Sequence, residues 1–254
     1  KNFNIIKQHK RSIILIGNFD GLHLGHQKLF KLAKNFKKKY SLNIGVLTFE
    51  PMPKMFFNNN LSNFRISNQK QKINSLKKHN VDFVIIKKFN KKFSKIKSTN
   101  FIKNILVSKL KAKFVFVSNN FRFGNRREGD VKQLIKYEKI FNYKIVKPKP
   151  LSKNKKIISS SLIRNLLMKG KIKKANEFLN REWSIEGMVK KGRQLGKKIG
   201  FPTANIDIKD YIIAKPGVYA VKVKKKNSVK YIKGIANLGY RPTFNQKKIL
   251  LEVH

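Results

Sequence analysis

Short apolar runs in the first half of the chain alternate with stretches whose apolar residues recur every three to four positions. Each run is nearly continuous, as expected for strands covered on both faces of a sheet. The runs are Ile13–Ile16, Ile44–Phe49, Val81–Ile86, Phe114–Val117 and Tyr143–Val146. The spacing of Leu29, Leu32, Ala33 and Phe36, and of Val131, Leu134 and Ile135, is that of amphipathic helices. The pattern predicts an α/β fold with a doubly wound, Rossmann-like parallel sheet that binds ligands at the carboxyl ends of its strands.

The second half of the chain has a different pattern. A serine run after Ile158 precedes apolar residues at helical spacing, so we predict helices there, the first capped by a serine. Beyond Trp183 the residues alternate between apolar and polar, as in Val218–Val223, with frequent Gly and Pro, which is typical of an all-β domain. We therefore expect two domains, 1–181 and 182–254.

The segment Gly17–His26 follows the first apolar run and precedes a helical pattern over Gln27–Lys38. His23 and His26 are three residues apart, so at a helix start both imidazoles can face the same way as the free backbone N–H groups and hold phosphate. Gly25 lets a phosphate or adenine approach the backbone. A histidine pair in a surface turn and a metal site are the alternatives, although no third clustered metal ligand is evident.

Lysine and arginine together number 60 against 12 acidic residues, which gives a formal net charge of +48. Such a charge favours a nucleic-acid-binding protein, but the lysines are spread through nearly every segment rather than concentrated with arginines. The chain has no cysteine, which excludes disulfides and thiolate metal sites and fits a reducing compartment. Its apolar runs are too short to span a membrane. We expect a cytoplasmic protein with no membrane partner and no specific nucleic acid.

Four segments in order resemble the bifunctional riboflavin kinase/FAD synthetases: Gly17–Gln27, Thr48–Pro53, Asn120–Asp130 and Ile158–Arg164. Met52 replaces a common histidine, and Ser161 replaces threonine but keeps the hydroxyl. The resemblance implies an α/β nucleotidyltransferase domain that transfers AMP from ATP to FMN. By that resemblance the catalytic residues are His23, His26 and Arg164; the ATP and phosphate ligands are Gly17, Asn18, Phe19, Asp20, Gly25, Ser159, Ser160 and Ser161; and the flavin ligands are Glu50, Pro51, Asn120, Phe121, Arg122 and Phe123.

The second half resembles the riboflavin kinase module, a small all-β barrel. Its glycine loop and Gly200–Asn205 match in order, although Gly192 and Gly196 are too close together for a P-loop. The resemblance implies that both glycines bind phosphate, that Thr203 and Asn205 hold Mg²⁺ and the ATP phosphates, and that Glu252 is the base for the riboflavin hydroxyl. Without it, Glu252 is an ordinary strand residue and Thr203 a turn hydroxyl.

The sequence thus predicts an enzyme that makes FMN from riboflavin and FAD from FMN, with ATP and Mg²⁺. The alternatives are an adenylyltransferase of the same fold with another acceptor and a basic nucleic-acid-binding protein. The chain ends at His254 inside an apolar run. We expect the kinase domain to be incomplete at its C-terminus, and the chain to keep adenylylation better than phosphorylation.

Overall fold

In the computed structural model, which describes residues 5–58, 61, 63–190, 202–226, 228–243 and 246–254, the apolar runs of the first half form a parallel sheet. Its strands are β1 (Ile13–Ile16), β2 (Ile44–Glu50), β3 (Phe83–Lys88), β4 (Phe114–Phe116) and β7 (Lys144–Val146). Within the described residues, their order is β3-β2-β1-β4-β7, and every pairing is parallel. The predicted α/β fold is confirmed.

Both faces of this sheet are covered, which is why its strands read as continuous apolar runs. Successive residues of β1 belong to different cores: Ile14 packs in a cluster with Phe101 and Leu134, whereas Leu15 packs in a cluster with Phe30 and Leu76. Each core is closed by helical residues from segments between the strands. The sheet is therefore sandwiched between two helical layers, as the doubly wound prediction requires.

The helices of the first half fill the connections between the strands. They are α1 (Leu24–Tyr40), α2 (Pro53–Phe57), α3 (Gln69–Lys78), α4 (Lys91–Ser94), α5 (Ser98–Asn100), a π-helix (Phe101–Lys109), α6 (Val131–Lys136) and α7 (Glu138–Phe141). Short 3-10 turns occur at Lys7–His9 and Asn125–Arg127, and two hairpins pair β5 (Arg122–Phe123) with β6 (Gly129–Asp130) and β8 (Ser152–Lys153) with β9 (Lys156–Ile157). α1 begins three residues before the predicted helix.

The second half forms two helices followed by an antiparallel sheet, which confirms the predicted all-β region. The helices are α8 (Ser160–Met168) and α9 (Ile172–Leu179), and the strands are β10 (Val189–Lys190), β11 (Ala204–Ile206), β12 (Gly217–Val223), β13 (Ile232–Thr243) and β14 (Gln246–Val253). Among the described residues the strand order is β10-β11-β14-β13-β12. Ile208, Ala214 and Leu238 form a small core under this sheet.

The chain divides into two compact units, one of Lys1–Leu61 and Gln69–Ser159 and one of Ser62–Asn68 and Ser160–His254. The short insertion from the first half is held by main-chain hydrogen bonds within the second unit. Arg65 N donates to Asp210 O over 2.9 Å, and Ile212 N donates to Arg65 O over 2.7 Å. The predicted domain boundary at residue 181 stays a prediction. Within the described part of the chain, every helix is too short or too polar to cross a lipid bilayer.

Candidate active sites

The segment between β1 and α1 is a tight turn at the carboxyl edge of the parallel sheet. Its backbone is left-handed at Phe19, Gly21 and Leu22, with φ of 47°, 79° and 36°. For Phe19 and Leu22 this conformation is costly and is kept only where the surrounding structure imposes it. The Phe19 ring lies over Gly17, where a Cβ atom would come within 3.2 Å of the ring. A side chain at position 17 would therefore require the Phe19 ring to move by a few tenths of an ångström.

His23 and His26 are stacked against each other at the start of α1. Their ring centroids are 3.8 Å apart at an interplanar angle of 24°. His23 is the N-cap residue and is buried, and the rings of Phe19 and His26 form a T-shaped pair with centroids 5.2 Å apart. The structure thus brings the two predicted catalytic imidazoles together at a helix N-terminus, where backbone N–H groups and the helix dipole favour phosphate.

Burial, together with the neighbouring His23, lowers the pKa of His26 well below its ordinary value. Among the described residues, none makes a hydrogen bond with the buried His26 Nδ1. The imidazole is therefore neutral at pH 7, when no ligand is bound. A phosphate placed beside it would favour the protonated form and raise the pKa again.

Gly25 lies between these imidazoles and the start of the serine run. A Cβ atom at this position would be 3.1 Å from His23 Nδ1 and 3.1 Å from the carbonyl oxygen of Ile158. The close approach places Ile158, and with it the adjoining Ser159, against the histidine turn within the first unit. Any side chain at position 25 would force His23 or Ile158 to move.

The remaining residues of the predicted phosphate set differ in exposure. Asp20 is buried, whereas the neighbouring Asn18 is exposed. Ser160 and Ser161 begin α8 in the second unit. Arg164, in the same helix, is buried; its Nε donates to Phe64 O over 2.8 Å, and its guanidinium lies 3.7 Å from the centroid of the Phe64 ring.

A cluster of phenylalanines lies next to Glu50, a predicted flavin residue at the end of β2. Glu50 O accepts a hydrogen bond of 2.8 Å from Phe89 N. We call the group the phenylalanine cluster; its ring centroids are 5.2 to 6.1 Å apart, and its members are Phe49, Phe56, Phe57, Phe89 and Phe93. Phe57 is 68% exposed, so the cluster presents an open aromatic ring at the sheet edge. We did not predict this cluster, because its members are spread over three sequence segments.

The Asn120–Phe123 loop combines exposed and buried residues. Asn120 and Arg122 are exposed, whereas Phe123 is part of the core and Phe121 stacks on it at 5.5 Å between centroids. Asp130, at the end of the Asn120–Asp130 segment, caps α6 by accepting a hydrogen bond of 2.9 Å from Gln133 N. The loop therefore presents exposed polar side chains next to two stacked phenylalanine rings.

In the second unit, strand register places several candidate residues in one row. Asn205 on β11 is paired directly with Glu252 on β14, and Glu252 is paired with Asn237 on β13. Directly paired residues have side chains on the same face with Cβ atoms about 5 Å apart. Glu252 therefore lies between the side-chain amides of Asn205 and Asn237. We did not predict Asn237 as a site residue. Thr203 is exposed just before β11, whereas Gly192 and Gly196 lie outside the described residues.

No cluster of three or more His, Asp or Glu residues that could hold a metal ion occurs in the part of the chain that the structure describes. The predicted ligands Thr203 and Asn205 each offer one side-chain oxygen, a hydroxyl and an amide carbonyl. Mg²⁺ prefers such oxygens and is usually bound by one or two protein groups together with substrate phosphates. Two such oxygens fit a Mg²⁺ ion whose other ligands are ATP phosphates.

Fold and sites together define an α/β nucleotide-binding unit with a histidine pair, followed by an antiparallel β unit with a carboxylate between amides. Residues 5–162 match the family model of FAD synthetases, and residues 179–254 match that of riboflavin kinases. A protein of Buchnera aphidicola subsp. Acyrthosiphon pisum called bifunctional riboflavin kinase/FMN adenylyltransferase is 41% identical over 99% of this chain and 80% of its own length. A protein of Escherichia coli strain K12 with the same name is 35% identical over 95% of this chain and 77% of its own length.

The chain therefore belongs to the bifunctional riboflavin kinase/FMN adenylyltransferase family, which confirms the resemblance seen in the sequence. A solved structure of a Streptococcus pneumoniae protein, called a macrolide-efflux protein, has the same fold. It matches with a TM-score of 0.84 at 28% identity, over 96% of this chain and 79% of the other.

Proposed function

We propose that this enzyme phosphorylates riboflavin to FMN and then transfers AMP from ATP to FMN, which produces FAD. The observation that carries the adenylylation half is the stacked pair of His23 and His26 at the N-terminus of α1. The match of each half of the chain to one of the two family models supports both activities. We place adenylylation in residues 1–181 and phosphorylation in residues 182–254.

In adenylyl transfer, an oxygen of the FMN phosphate attacks the α-phosphorus of ATP, and the bond from that phosphorus to the pyrophosphate oxygen breaks. The chain need only position the reactants and neutralise charge, so no covalent intermediate with the protein is required. His23, His26 and the free N–H groups of α1 hold the reacting phosphate. Family resemblance assigns Ser159–Ser161 and Arg164 to the departing pyrophosphate.

The flavin ring of FMN is proposed to lie against the aromatic surface at the sheet edge. The phenylalanine cluster adjoins Glu50 and Pro51, and Phe57 leaves one ring open to stacking. Aromatic faces stack on planar rings at centroid distances of about 4.5 to 7 Å. Asn120 and Arg122 supply exposed polar groups for the edge of the flavin.

In the kinase reaction, Glu252 takes the proton of the riboflavin 5′-hydroxyl, whose oxygen attacks the γ-phosphorus of ATP while ADP departs. A carboxylate beside the attacking hydroxyl suits this role. Thr203 and Asn205 would hold Mg²⁺, which neutralises charge on the ATP phosphates. The direct pairing of Asn205 with Glu252 supports a common site for phosphate and proton acceptor.

We further propose that the enzyme acts in the cytoplasm without a specific nucleic-acid partner. The absence of cysteine agrees with a reducing compartment. The positive charge is spread along the chain rather than gathered in one segment. We expect any binding to generic DNA to be weak at physiological salt.

Both activities can be measured by separating flavins after incubation of the chain with ATP, Mg²⁺ and either FMN or riboflavin. His26→Ala should abolish FAD formation and spare the kinase, and Glu252→Gln should do the reverse. His9→Ala and Glu182→Gln are matched controls, since His9 stacks on Phe83 and Glu182 is exposed in an ion pair with Lys222. Equal loss of both reactions in both variants would exclude the two-site assignment, and no product from either flavin would exclude the function.

A further inference from the structure

One lysine of α3 is buried, in a protein whose lysines are otherwise mostly exposed. Lys72 is 3% exposed, whereas Lys70, Lys77 and Lys78 of the same helix lie on its exposed side. It is one turn from the buried Leu76, so both side chains point from α3 into the first unit. A buried ammonium loses its hydration and persists only where its surroundings replace the lost hydrogen bonds. The high lysine content of the chain therefore does not explain why Lys72 is buried.

The ammonium reaches the backbone of the nucleotide-binding turn. Lys72 Nζ donates to the carbonyl oxygen of Asn18 over 3.3 Å, and Thr48 Oγ1 of β2 lies 3.5 Å from the same oxygen. A hydrogen bond from a charged donor is stronger than one between neutral groups. Asn18 O is thus held from α3 and from β2, at the residue just before the left-handed Phe19.

Phe19 links this carbonyl to the proposed catalytic pair. Its ring lies over Gly17 and packs edge-on against the imidazole of His26 at 5.2 Å. The φ of 47° at Phe19 is one that a bulky residue adopts only under constraint. Fixing the carbonyl of Asn18 fixes the peptide plane that sets this φ, and hence where the Phe19 ring meets His26.

We propose that Lys72 is a positioning residue for adenylyl transfer: its ammonium fixes the Asn18 carbonyl and, through Phe19, the orientation of His26. This inference rests on the proposed function for its kinetic consequence. The structural part of the proposal, that Lys72 holds the turn between β1 and α1, does not depend on that function.

Lys72→Met tests the proposal, because it keeps the packed aliphatic stem and removes the charge and the donor. We expect kcat for FAD formation to fall by about tenfold to a hundredfold, since a displacement of about 1 Å at a catalytic group can cost a factor of that size. Riboflavin phosphorylation should be unchanged. Lys72→Arg, which keeps a charged donor, should recover a large part of the lost kcat.

Two variants of the same helix serve as controls. Lys70→Met removes an exposed lysine and should leave FAD formation unchanged. Leu76→Ala opens a cavity one turn away and should lower the melting temperature without a comparable loss of kcat at temperatures where it is folded. An equal loss of kcat in folded Leu76→Ala would overturn the proposal, as would a Lys72→Met enzyme within twofold of the unmodified chain.

Amide hydrogen exchange tests whether Lys72 holds the turn, and it does so without measuring enzyme activity. The amides of residues 17–23 should exchange at least about tenfold faster in Lys72→Met than in the unmodified chain, and should not do so in Leu76→Ala. Unchanged exchange in Lys72→Met would overturn the positioning role even if activity fell. If the unmodified chain makes no FAD, the proposed function fails, and the exchange result still supports or overturns the role of Lys72.

Discussion

Gly25→Ala should separate catalysis from stability, because the added methyl group would press on the histidine turn. Its Cβ would lie 3.1 Å from His23 Nδ1 and 3.1 Å from Ile158 O, about 0.3 Å closer than ordinary contact. The Ile158 carbonyl belongs to a buried residue, so we expect the His23 ring to yield. Such a displacement should lower kcat for FAD formation by roughly tenfold.

The same substitution should not destabilise the fold by a comparable amount. Gly25 is the second residue of α1, and alanine is more favourable than glycine in a helix by about 1 kcal/mol, or less in the first turn. This gain opposes the cost of moving one imidazole by a few tenths of an ångström. We expect a melting temperature within a few degrees of the unmodified chain, together with a clear loss of FAD formation.

The assay is chromatographic separation of FAD from FMN at saturating ATP, with thermal unfolding measured on the same preparation. Riboflavin phosphorylation is the internal control, since we assign it to residues 182–254. Gly239→Ala is the matched substitution, because a Cβ at that glycine would meet nothing within 4 Å. Unchanged FAD formation in Gly25→Ala would refute the close packing of His23 as a requirement for catalysis.

Three further predictions test other parts of the structure. Because burial and the adjacent imidazole lower the pKa of His26, the unfolded chain binds a proton there that the folded chain does not, so stability should fall as the pH drops below about 6.5. Denaturant unfolding at a series of pH values should show that the free energy of unfolding falls less steeply with decreasing pH in His26→Gln. An equal dependence on pH in both proteins would contradict this. Asn237→Ala should lower the rate of riboflavin phosphorylation about tenfold and leave FAD formation unchanged. In a Glu252→Gln background the same substitution should have little further effect, which a double-mutant comparison of rates will test. Gly45→Ala should cost about 1 to 3 kcal/mol of unfolding free energy, because its Cβ would clash with the Phe83 ring in the paired strand, and Phe83→Leu should recover part of it.

The strands and the histidine turn were readable from the sequence because their determinants are local. A parallel strand buried on both faces must be apolar at every position, so Ile13–Ile16 was predicted to the residue. The turn carries its glycines and both histidines within ten residues. α1 began earlier than predicted because Leu24 and Gly25, which its amphipathic pattern does not include, form its first turn.

Other features depended on which distant segments pair, and no local pattern encodes that choice. Residues 63–68 lie in sequence between elements of the first unit, yet Arg65 hydrogen-bonds with Asp210 and Ile212 in the second. Strand register alone sets Asn237 beside Glu252, since a shift of one residue would turn its side chain to the other face.

The sequence by itself determined the strands of the parallel sheet, the family and most of the candidate site residues. Only the tertiary structure decided which of those residues meet and which apparently ordinary ones support them. Lys72 looks like any other lysine in a chain with 60 basic residues. Its burial and its contact with Asn18 arise from the packing of α3 against the sheet, because the environment of a side chain is set by neighbours that are far away in sequence.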